Sequence, residues 1–124
     1  MMSYLNKRKK AFGYAFKGIA GLVKKEAHAK LHIIATILVV TAGFIFKICA
    51  WEWVAVTICI GGVFMAEAFN SAIERLADKI TKENDPLIGE AKDLGAAAVL
   101  LFAIATLITA LIIFLPKLPT LINK

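Results

Sequence analysis

The third apolar block of the chain reads LGAAAVLLFAIATLITALIIFL from Leu94 to Leu115 and contains no charged residue. A helix needs about 20 apolar residues to cross the hydrocarbon core of a bilayer, and this block reaches that length. It is also far too long for a β-strand. Two further apolar blocks precede it, from about Leu31 to Phe46 and from about Trp51 to Ala68. The sequence therefore predicts an all-α integral membrane protein, with spans at about residues 29–47, 51–69 and 94–115.

The composition of the whole chain agrees with a membrane location. Of its 124 residues, 60 % are hydrophobic and 19 % are charged, whereas soluble domains are about 45–50 % apolar. Disordered, collagen-like and disulfide-scaffold classes are excluded, and Cys49 and Cys59 lack the spacing of metal ligands. The net charge of +6 does not indicate a nucleic-acid partner, because the apolar residues come in membrane-length blocks. We expect residues 1–124 to form a single membrane-embedded domain.

The positions of the basic residues predict the orientation in the membrane. Eight of the 15 lysines and arginines lie before residue 31, and four more lie in the loop at about 75–92. Lysine and arginine beside a span favour the cytoplasmic side and attract anionic lipids. We therefore expect the N-terminus and this loop to be cytoplasmic and the turn near residues 47–51 to face outward.

A short amphipathic pattern precedes the first span. Phe12, Phe16, Ile19 and Val23 are spaced by four, three and four residues, so on a helix they occupy a narrow arc. This pattern is typical of a helix, at about residues 7–25, that lies on the inner leaflet with its apolar side down. The alternative is that the same face packs on the other helices.

The stretch that follows the second span carries an acidic helix face. From Glu67 it reads EAFNSAIERLAD, and on a helix Glu67, Asn70, Ser71, Glu74 and Asp78 fall within about 100°. Glu67 lies inside apolar sequence, where a charge costs about 2.5–3.5 kcal/mol at the bilayer centre and usually marks a functional site. The alternative is a solvated helix end, in which Glu74 and Asp78 pair with nearby lysines or arginines of the same helix.

Two further acidic groups border the spans on the predicted inner side. Glu26 stands alone before the first span, and residues 83–85 and 92–93 contain Glu-Asn-Asp and Lys-Asp before the third. Carboxylates beside lysines suit Mg²⁺ shared with phosphates. His28 and His32 share a helix face but have no neighbouring ligand set, so we do not expect zinc. P-loop and protein-kinase motifs are missing from the sequence.

Two segments resemble the signature of a known family. They are Glu67-Ala-Phe-Asn-Ser-Ala-Ile-Glu74 and Ala91-Lys-Asp-Leu-Gly-Ala-Ala-Ala-Val99, and they resemble the prokaryotic diacylglycerol kinases, a family that includes the undecaprenol kinases of Gram-positive bacteria. Phe12-Gly-Tyr-Ala-Phe-Lys-Gly18 and Glu26 also match in order and spacing. The resemblance covers about residues 7–118.

The resemblance implies an ATP- and Mg²⁺-dependent lipid kinase at the cytoplasmic face of the bacterial inner membrane. Its acceptor is the hydroxyl of diacylglycerol or of undecaprenol, and its products are phosphatidic acid or undecaprenyl phosphate. The resemblance also implies a homotrimer of three-span subunits with a surface helix, whose active sites are shared between neighbouring subunits.

The same resemblance assigns roles to individual residues. Glu67 corresponds to the proton acceptor for the lipid hydroxyl, Asn70 to a member of the polar site, and Glu26 and Glu74 to the Mg²⁺ ligands. The implied nucleotide contacts are Lys7, Tyr14, Glu26, Glu74, Glu83, Asn84, Asp85, Lys92 and Asp93.

The remaining assignments leave alternatives open. The implied lipid contacts are Glu67 and Ala96. Lys7 stands where the diacylglycerol kinases of Gram-negative bacteria carry an arginine, and His32 where they carry a glutamate. The sequence does not decide between diacylglycerol and undecaprenol, or between Glu67 and Glu74 as the base.

A hypothesis from another class is a non-enzymatic membrane anchor or accessory subunit. It explains the three spans and the basic N-terminus, but not the acidic face next to apolar sequence. Gly62 and Ala66 form a pair of small residues four apart. Such a pair predicts close approach of second-span helices and favours an oligomer.

Overall fold

The computed structural model describes residues 3–119, apart from the side chain of Lys25. Its order of elements is α1 (Tyr4–Lys25), α2 (Ala27–Ile45), α3 (Ala50–Ile80), α4 (Pro86–Phe114) and a 3₁₀ turn (Leu115–Lys117), with no strand among these residues. The helices α2, α3 and α4 are long and apolar enough to cross a membrane. The all-helical class and the three candidate spans predicted from the sequence are confirmed.

The helix boundaries are set by residues that interrupt or cap the backbone. Glu26 has an extended conformation (φ −93°, ψ 120°) and is the single residue between α1 and α2. Asp85 caps α4, because its Oδ1 accepts hydrogen bonds from the backbone N–H groups of Leu87 and Ile88 at 2.9 and 3.1 Å. Pro86 follows at the first helical position, where its missing N–H costs nothing.

Gly62 allows α3 to pack closely along α4. A Cβ atom at Gly62 would overlap the ring of Phe102 on α4, so only glycine leaves room for that ring. Gly62 and Ala66 are both buried within the chain. The small size of Gly62 is used inside one chain, where the ring of Phe102 takes the space. The expectation that the pair brings second-span helices of different subunits together stays a prediction.

The three long helices alternate in direction, so the bundle has two distinct ends. At one end α2 begins, α3 ends and α4 begins. We call it the acidic end and define it by three side-chain pairs that cross between elements: Glu26–Arg75, His32–Glu67 and Asp78–Lys92.

At the other end α2 finishes, α3 begins and α4 finishes. We call it the clamped end and define it by the Glu52–Lys117 ion pair and the small core of Ile48, Val56 and Ile113. The acidic groups that lie far apart in the sequence thus meet at one end of the bundle, as three alternating spans predict.

Three apolar residues of α1, namely Phe12, Phe16 and Ile19, do not pack on the rest of the chain. Phe12 and Phe16 are 65 % and 68 % exposed, and Ile19 is also exposed. Leu22, near the end of the helix, is buried. The alternative that this face packs on α2, α3 or α4 of the same chain is therefore not what the structure shows for these residues.

Candidate active site

The acidic end contains a buried carboxylate. Glu67 lies on α3 among apolar neighbours and is only 4 % exposed. Its Oε1 lies 3.1 Å from Nε2 of His32, which projects from the beginning of α2. The His32 ring also packs edge-on against Phe64, with ring centroids 6.4 Å apart. A buried carboxyl group without a hydrogen-bond partner is costly, and His32 supplies that partner.

The sequence contains no signal for this contact. The two residues are 35 positions apart, and the sequence marks His32 only as one of a histidine pair without further zinc ligands and as the residue at a family glutamate position. Helix periodicity fixes which residues share a face of one helix, but it does not say which face of α2 turns toward α3.

Asn70 lies one turn beyond Glu67 on α3. Its Oδ1 is enclosed, and within residues 3–119 it has no hydrogen-bond partner. The side chain lies against Gly95 of α4, where an added Cβ would be 2.7 Å from that oxygen. A buried amide oxygen without a donor is uncommon and costs about 1–3 kcal/mol. Gly95 thus explains why α4 fits against Asn70, and the oxygen without a partner is consistent with the prediction that Asn70 belongs to the polar site.

Glu26 and Glu74 both lie at the acidic end of the bundle. Arg75 Nη2 donates to Glu26 Oε1 at 2.7 Å, from α3 to the break between α1 and α2. Arg75 follows Glu74 directly in α3, so this bond ties the α1–α2 break to the part of α3 that carries Glu74. The two predicted Mg²⁺ ligands are therefore placed on adjoining elements.

The ion pairs also test the solvated-helix alternative. Asp78 accepts from Lys92 Nζ of α4 at 3.1 Å, and Arg75 bonds to Glu26. Both of these pairs join different elements, whereas the alternative requires pairs within α3. Among the described residues the acidic face is thus tied to α4 and to the α1–α2 break, which is not the arrangement of an isolated solvated helix end.

The carboxylates fit a hard cation that is shared with phosphate. Mg²⁺ in nucleotide sites uses one or two carboxylates and takes its other ligands from phosphates and water. Between residues 3 and 119, no three histidine, cysteine or acidic side chains group as a complete metal site. Glu26 Oε2 and both oxygens of Glu74 have no protein donor within that range, so two carboxylates can contribute oxygen ligands. The same histidines do not support zinc, since His28 is exposed and His32 contacts Glu67.

A polar pocket of about 420 Å³ lies beside these residues, between the end of α3 and the beginning of α4. Its volume is in the range of small-molecule sites, about 300–1,000 Å³. It includes five of the predicted nucleotide contacts: Glu83, Asn84, Asp85, Lys92 and Asp93. Asp78, Thr81, Lys82, Ile88 and Gly89 complete the lining, of which the sequence had singled out only Asp78, for the acidic face.

Seven predicted site residues are not part of this pocket lining: Lys7, Tyr14, Glu26, Glu67, Asn70, Glu74 and Ala96. Lys7 and Tyr14 are exposed on α1, and neither is in the pocket lining. Ala96 is exposed on α4, directly after Gly95. The pocket of one chain therefore gathers the predicted nucleotide residues of α4 and of the α3–α4 connection, but not those of α1, of the α1–α2 break or of α3.

An apolar groove runs from the acidic end along α2, α3 and α4. Its volume is about 490 Å³, and its lining extends from His32 at the acidic end to Phe114 near the clamped end. Thr36, Val63 and Thr106 lie between them. The groove gives the site an apolar approach from the membrane, whereas the polar pocket opens it to water-soluble molecules.

The fold and the site define a class of protein: a small helical membrane protein in which a buried carboxylate stands between an apolar groove and a polar pocket. A sequence model of prokaryotic diacylglycerol kinase matches residues 13–114. The chain is 40 % identical to undecaprenol kinase of Bacillus subtilis over 114 residues, which cover 92 % of this chain and 93 % of that protein. It is 36 % identical to diacylglycerol kinase of Escherichia coli K12 over 100 residues, 81 % of this chain and 82 % of the relative.

A more distant relative is diacylglycerol kinase of Pseudomonas aeruginosa, 28 % identical over 89 residues, 71 % of this chain and 72 % of that protein. The chain belongs to the prokaryotic diacylglycerol kinase family. It is therefore a transferase, a membrane lipid kinase by family. The resemblance found in the sequence is confirmed, and the hypothesis of a non-enzymatic anchor is set aside.

Proposed function

We propose that the protein transfers the γ-phosphate of ATP, with Mg²⁺, to the hydroxyl of a membrane lipid alcohol at the cytoplasmic face of the bacterial inner membrane. One observation carries the proposal: the buried carboxylate of Glu67 is bonded to a histidine that lines the apolar groove, on the helix whose end forms the polar pocket. From Glu67 to Asp78, α3 rises about 16 Å. This length suits a lipid hydroxyl at one end and a nucleotide at the other.

In this mechanism Glu67 is the proton acceptor. It takes the proton of the lipid hydroxyl while the hydroxyl oxygen bonds to the γ-phosphorus, and the bond from that phosphorus to the β-phosphate oxygen breaks to release ADP. Burial beside the groove favours Glu67 over Glu74, which lies next to Arg75 on the more exposed part of α3. Asn70 and Ala96 border the same region and complete the proposed lipid site.

The nucleotide is proposed to bind in the polar pocket. Lys92 supplies positive charge for the phosphates, and the turn at residues 83–85 contacts the rest of the nucleotide. Glu26 and Glu74 would hold Mg²⁺, which neutralises phosphate charge when bound. Arg75 forms an ion pair with Glu26 and so compensates the negative charge of that carboxylate.

The proposed assembly is a homotrimer with active sites shared between neighbouring subunits. Two observations support it: Lys7 and Tyr14 lie outside the pocket of their own chain, and the apolar face of α1 is exposed. The proposed orientation, with a cytoplasmic N-terminus and α1 on the inner leaflet, is supported by the basic residues of α1 beside its apolar ones.

Undecaprenol and diacylglycerol are the two proposed acceptors. The identity of 40 % to an undecaprenol kinase, against 36 % to a diacylglycerol kinase, favours undecaprenol. A competition assay with both lipids in the same micelles decides between them, because the two phosphorylated products separate by chromatography.

The proposed function is tested with purified protein in mixed micelles that contain radiolabelled ATP, Mg²⁺ and each lipid in turn. We expect labelled phospholipid or labelled polyprenyl phosphate, and no product after removal of Mg²⁺ with a chelator. Failure to label either lipid, with protein that is folded and monodisperse, contradicts the proposal.

A further inference from the structure

His32 connects the buried carboxylate to the apolar groove. Its Nε2 lies 3.1 Å from Glu67 Oε1, and the side chains are 19 % and 5 % exposed. The imidazole ring belongs to the groove lining, so it stands at the boundary between Glu67 and the space open to a lipid. Its position on α2 is held by helix packing and by the edge contact with Phe64.

The chemistry of the two groups fixes the direction of this hydrogen bond. An ionised carboxylate has only acceptors, so Nε2 must carry the proton in the bond. In a neutral ring, Nδ1 is then unprotonated. A donor aimed at Oε1 fixes the orientation of the Glu67 carboxylate. A general base needs this orientation, because it must lie within reach of the proton that it accepts.

We propose that His32 is a positioning residue for lipid phosphorylation. It holds the Glu67 carboxylate in one orientation, so that the second carboxylate oxygen is available to the hydroxyl of a lipid alcohol that approaches from the groove. The proton of the hydroxyl goes to Glu67, and His32 keeps its own proton. The inference rests on the proposed function, because it assigns His32 a part in the same reaction.

The first experiment replaces His32 with side chains that differ in reach. The amide nitrogen of glutamine can occupy the place of Nε2, whereas asparagine is one carbon shorter and leucine has no donor. We expect His32→Gln to keep kcat within about 3-fold of wild type, and His32→Asn and His32→Leu to lower it about 10- to 100-fold, the loss expected when a reacting group is misplaced by about 1 Å. KM for ATP and for the lipid should stay within about 2-fold, since substrate binding does not use this bond.

The second experiment asks whether His32 acts through Glu67. Groups that act as one unit show strongly non-additive losses. We expect Glu67→Gln and the double variant Glu67→Gln/His32→Leu to have equal residual activity. A further loss in the double variant overturns the proposal, because it gives His32 a role independent of Glu67.

A spectroscopic measurement tests the contact without any assay. We expect the side-chain ¹⁵N signals of His32 in labelled wild-type protein to report a protonated Nε2 and an unprotonated Nδ1, and Glu67→Gln to shift them. His28→Leu is the matched control: it removes an exposed histidine one turn away on the same helix and should leave kcat and the His32 signals unchanged.

The outcomes separate this inference from the proposed function. If wild type phosphorylates no lipid, the proposed function fails, and unperturbed His32 signals in Glu67→Gln then overturn the contact as well. If wild type is active and folded His32→Asn keeps full kcat, or changes only the lipid KM, His32 is not a positioning residue and the proposed function stands. His32→Gln as inactive as His32→Asn also overturns the inference, because the restored donor should restore the rate. Should His32→Leu fail to fold, the Gln and Asn pair carries the same test.

Discussion

The carboxylates at the two ends of the helix bundle differ in how many hydrogen-bond partners they have. At the clamped end, Glu52 accepts from the backbone N–H of Cys49 at 2.8 Å through Oε2 and from Lys117 Nζ at 2.6 Å through Oε1. Both oxygens of this carboxylate have a donor. At the acidic end, the more deeply buried Glu67 has one donor within the described chain, His32 Nε2, and the neighbouring Asn70 Oδ1 has none.

Both carboxylates lie on the same helix, so the difference comes from what surrounds them and not from the secondary structure. Buried polar groups are normally satisfied, and exceptions concentrate at functional sites. The clamped end joins the beginning of α3 to the chain that follows α4 and serves stability. The acidic end keeps acceptors that have no donor within the described residues, and we propose that it serves chemistry. Variants at matched positions of the two ends separate these roles.

The largest effect is expected for Glu67→Gln, matched by Glu52→Gln. Both variants make the same chemical change on α3, and each keeps the shape of the side chain. We expect Glu67→Gln to lower kcat about 10²- to 10⁴-fold, the contribution of a general base, and Glu52→Gln to keep kcat within about 2-fold of wild type. The measurement is the rate of labelled lipid formation in mixed micelles. Equal rates for the two variants contradict the assignment of chemistry to the acidic end.

The second-largest effect is expected for Gly95→Ala, which changes the contact of Gly95 with Asn70. A methyl group at position 95 would lie 2.7 Å from Asn70 Oδ1, so Gly95→Ala displaces the amide or separates α3 from α4. We expect activity to fall about 10-fold or more, because small displacements at a site are costly. Gly61→Ala is the matched control, since an added Cβ there meets nothing within 4 Å.

Activity and folding are measured together in this pair of variants, by lipid phosphorylation and by thermal melting in detergent. Gly61→Ala should melt at or slightly above the wild-type temperature, because alanine is the better helix former. If Gly95→Ala remains fully active, the close packing around Asn70 has no part in the reaction.

The third effect concerns the ion pair between Asp78 and Lys92. Its side chains are 64 % and 41 % exposed, so the pair contributes little to stability. Asp78→Asn releases Lys92 from its present position beside the polar pocket. We expect KM for ATP to rise about 2- to 5-fold, in line with the small energies of exposed ion pairs, while kcat and the melting temperature stay near wild type.

The nucleotide dependence of the melting temperature provides an independent measurement of this variant, since a ligand that binds the folded state raises it. Glu90→Gln, on an exposed position of α4, is the control for the loss of one acidic charge. An unchanged KM shows that Asp78 does not position Lys92, and a lower KM shows that Asp78 competes with phosphates for it.

Much of the fold could be predicted from the sequence because membrane spans follow from the length of apolar blocks alone. The uncharged stretch from Leu94 and the alternation of three spans were enough to bring the acidic groups to one end. The exact helix limits could not be predicted from the apolar blocks. The helix α3 continues to Ile80 and α4 begins at Pro86, because the amphipathic turns outside the apolar blocks remain helical.

The candidate site was predictable only where residues share one helix or one short segment. The acidic face of α3 was identified from helix spacing, and the turn at residues 83–85 from its acidic residues and from the family resemblance. The partners across helices were not, and they include the bond between His32 and Glu67 and the packing of Gly62 on Phe102. Such contacts depend on the rotation and depth of each helix against its neighbours, and one sequence does not contain that information.

The smallest effect is expected for stability at the clamped end. In Glu52→Gln the amide oxygen can still accept from Cys49, but the charge attraction to Lys117 is lost. Because this ion pair is partly exposed and makes one link of many between α3 and the segment after α4, we expect the melting temperature in detergent to fall by about 1–3 °C. Glu90→Gln, which removes a carboxylate without a hydrogen bond in the described chain, should melt as wild type does. If the two variants melt alike, the charge attraction between Glu52 and Lys117 adds nothing to stability, and the apolar contacts centred on Ile48, Val56 and Ile113 become the main candidates for what holds the clamped end.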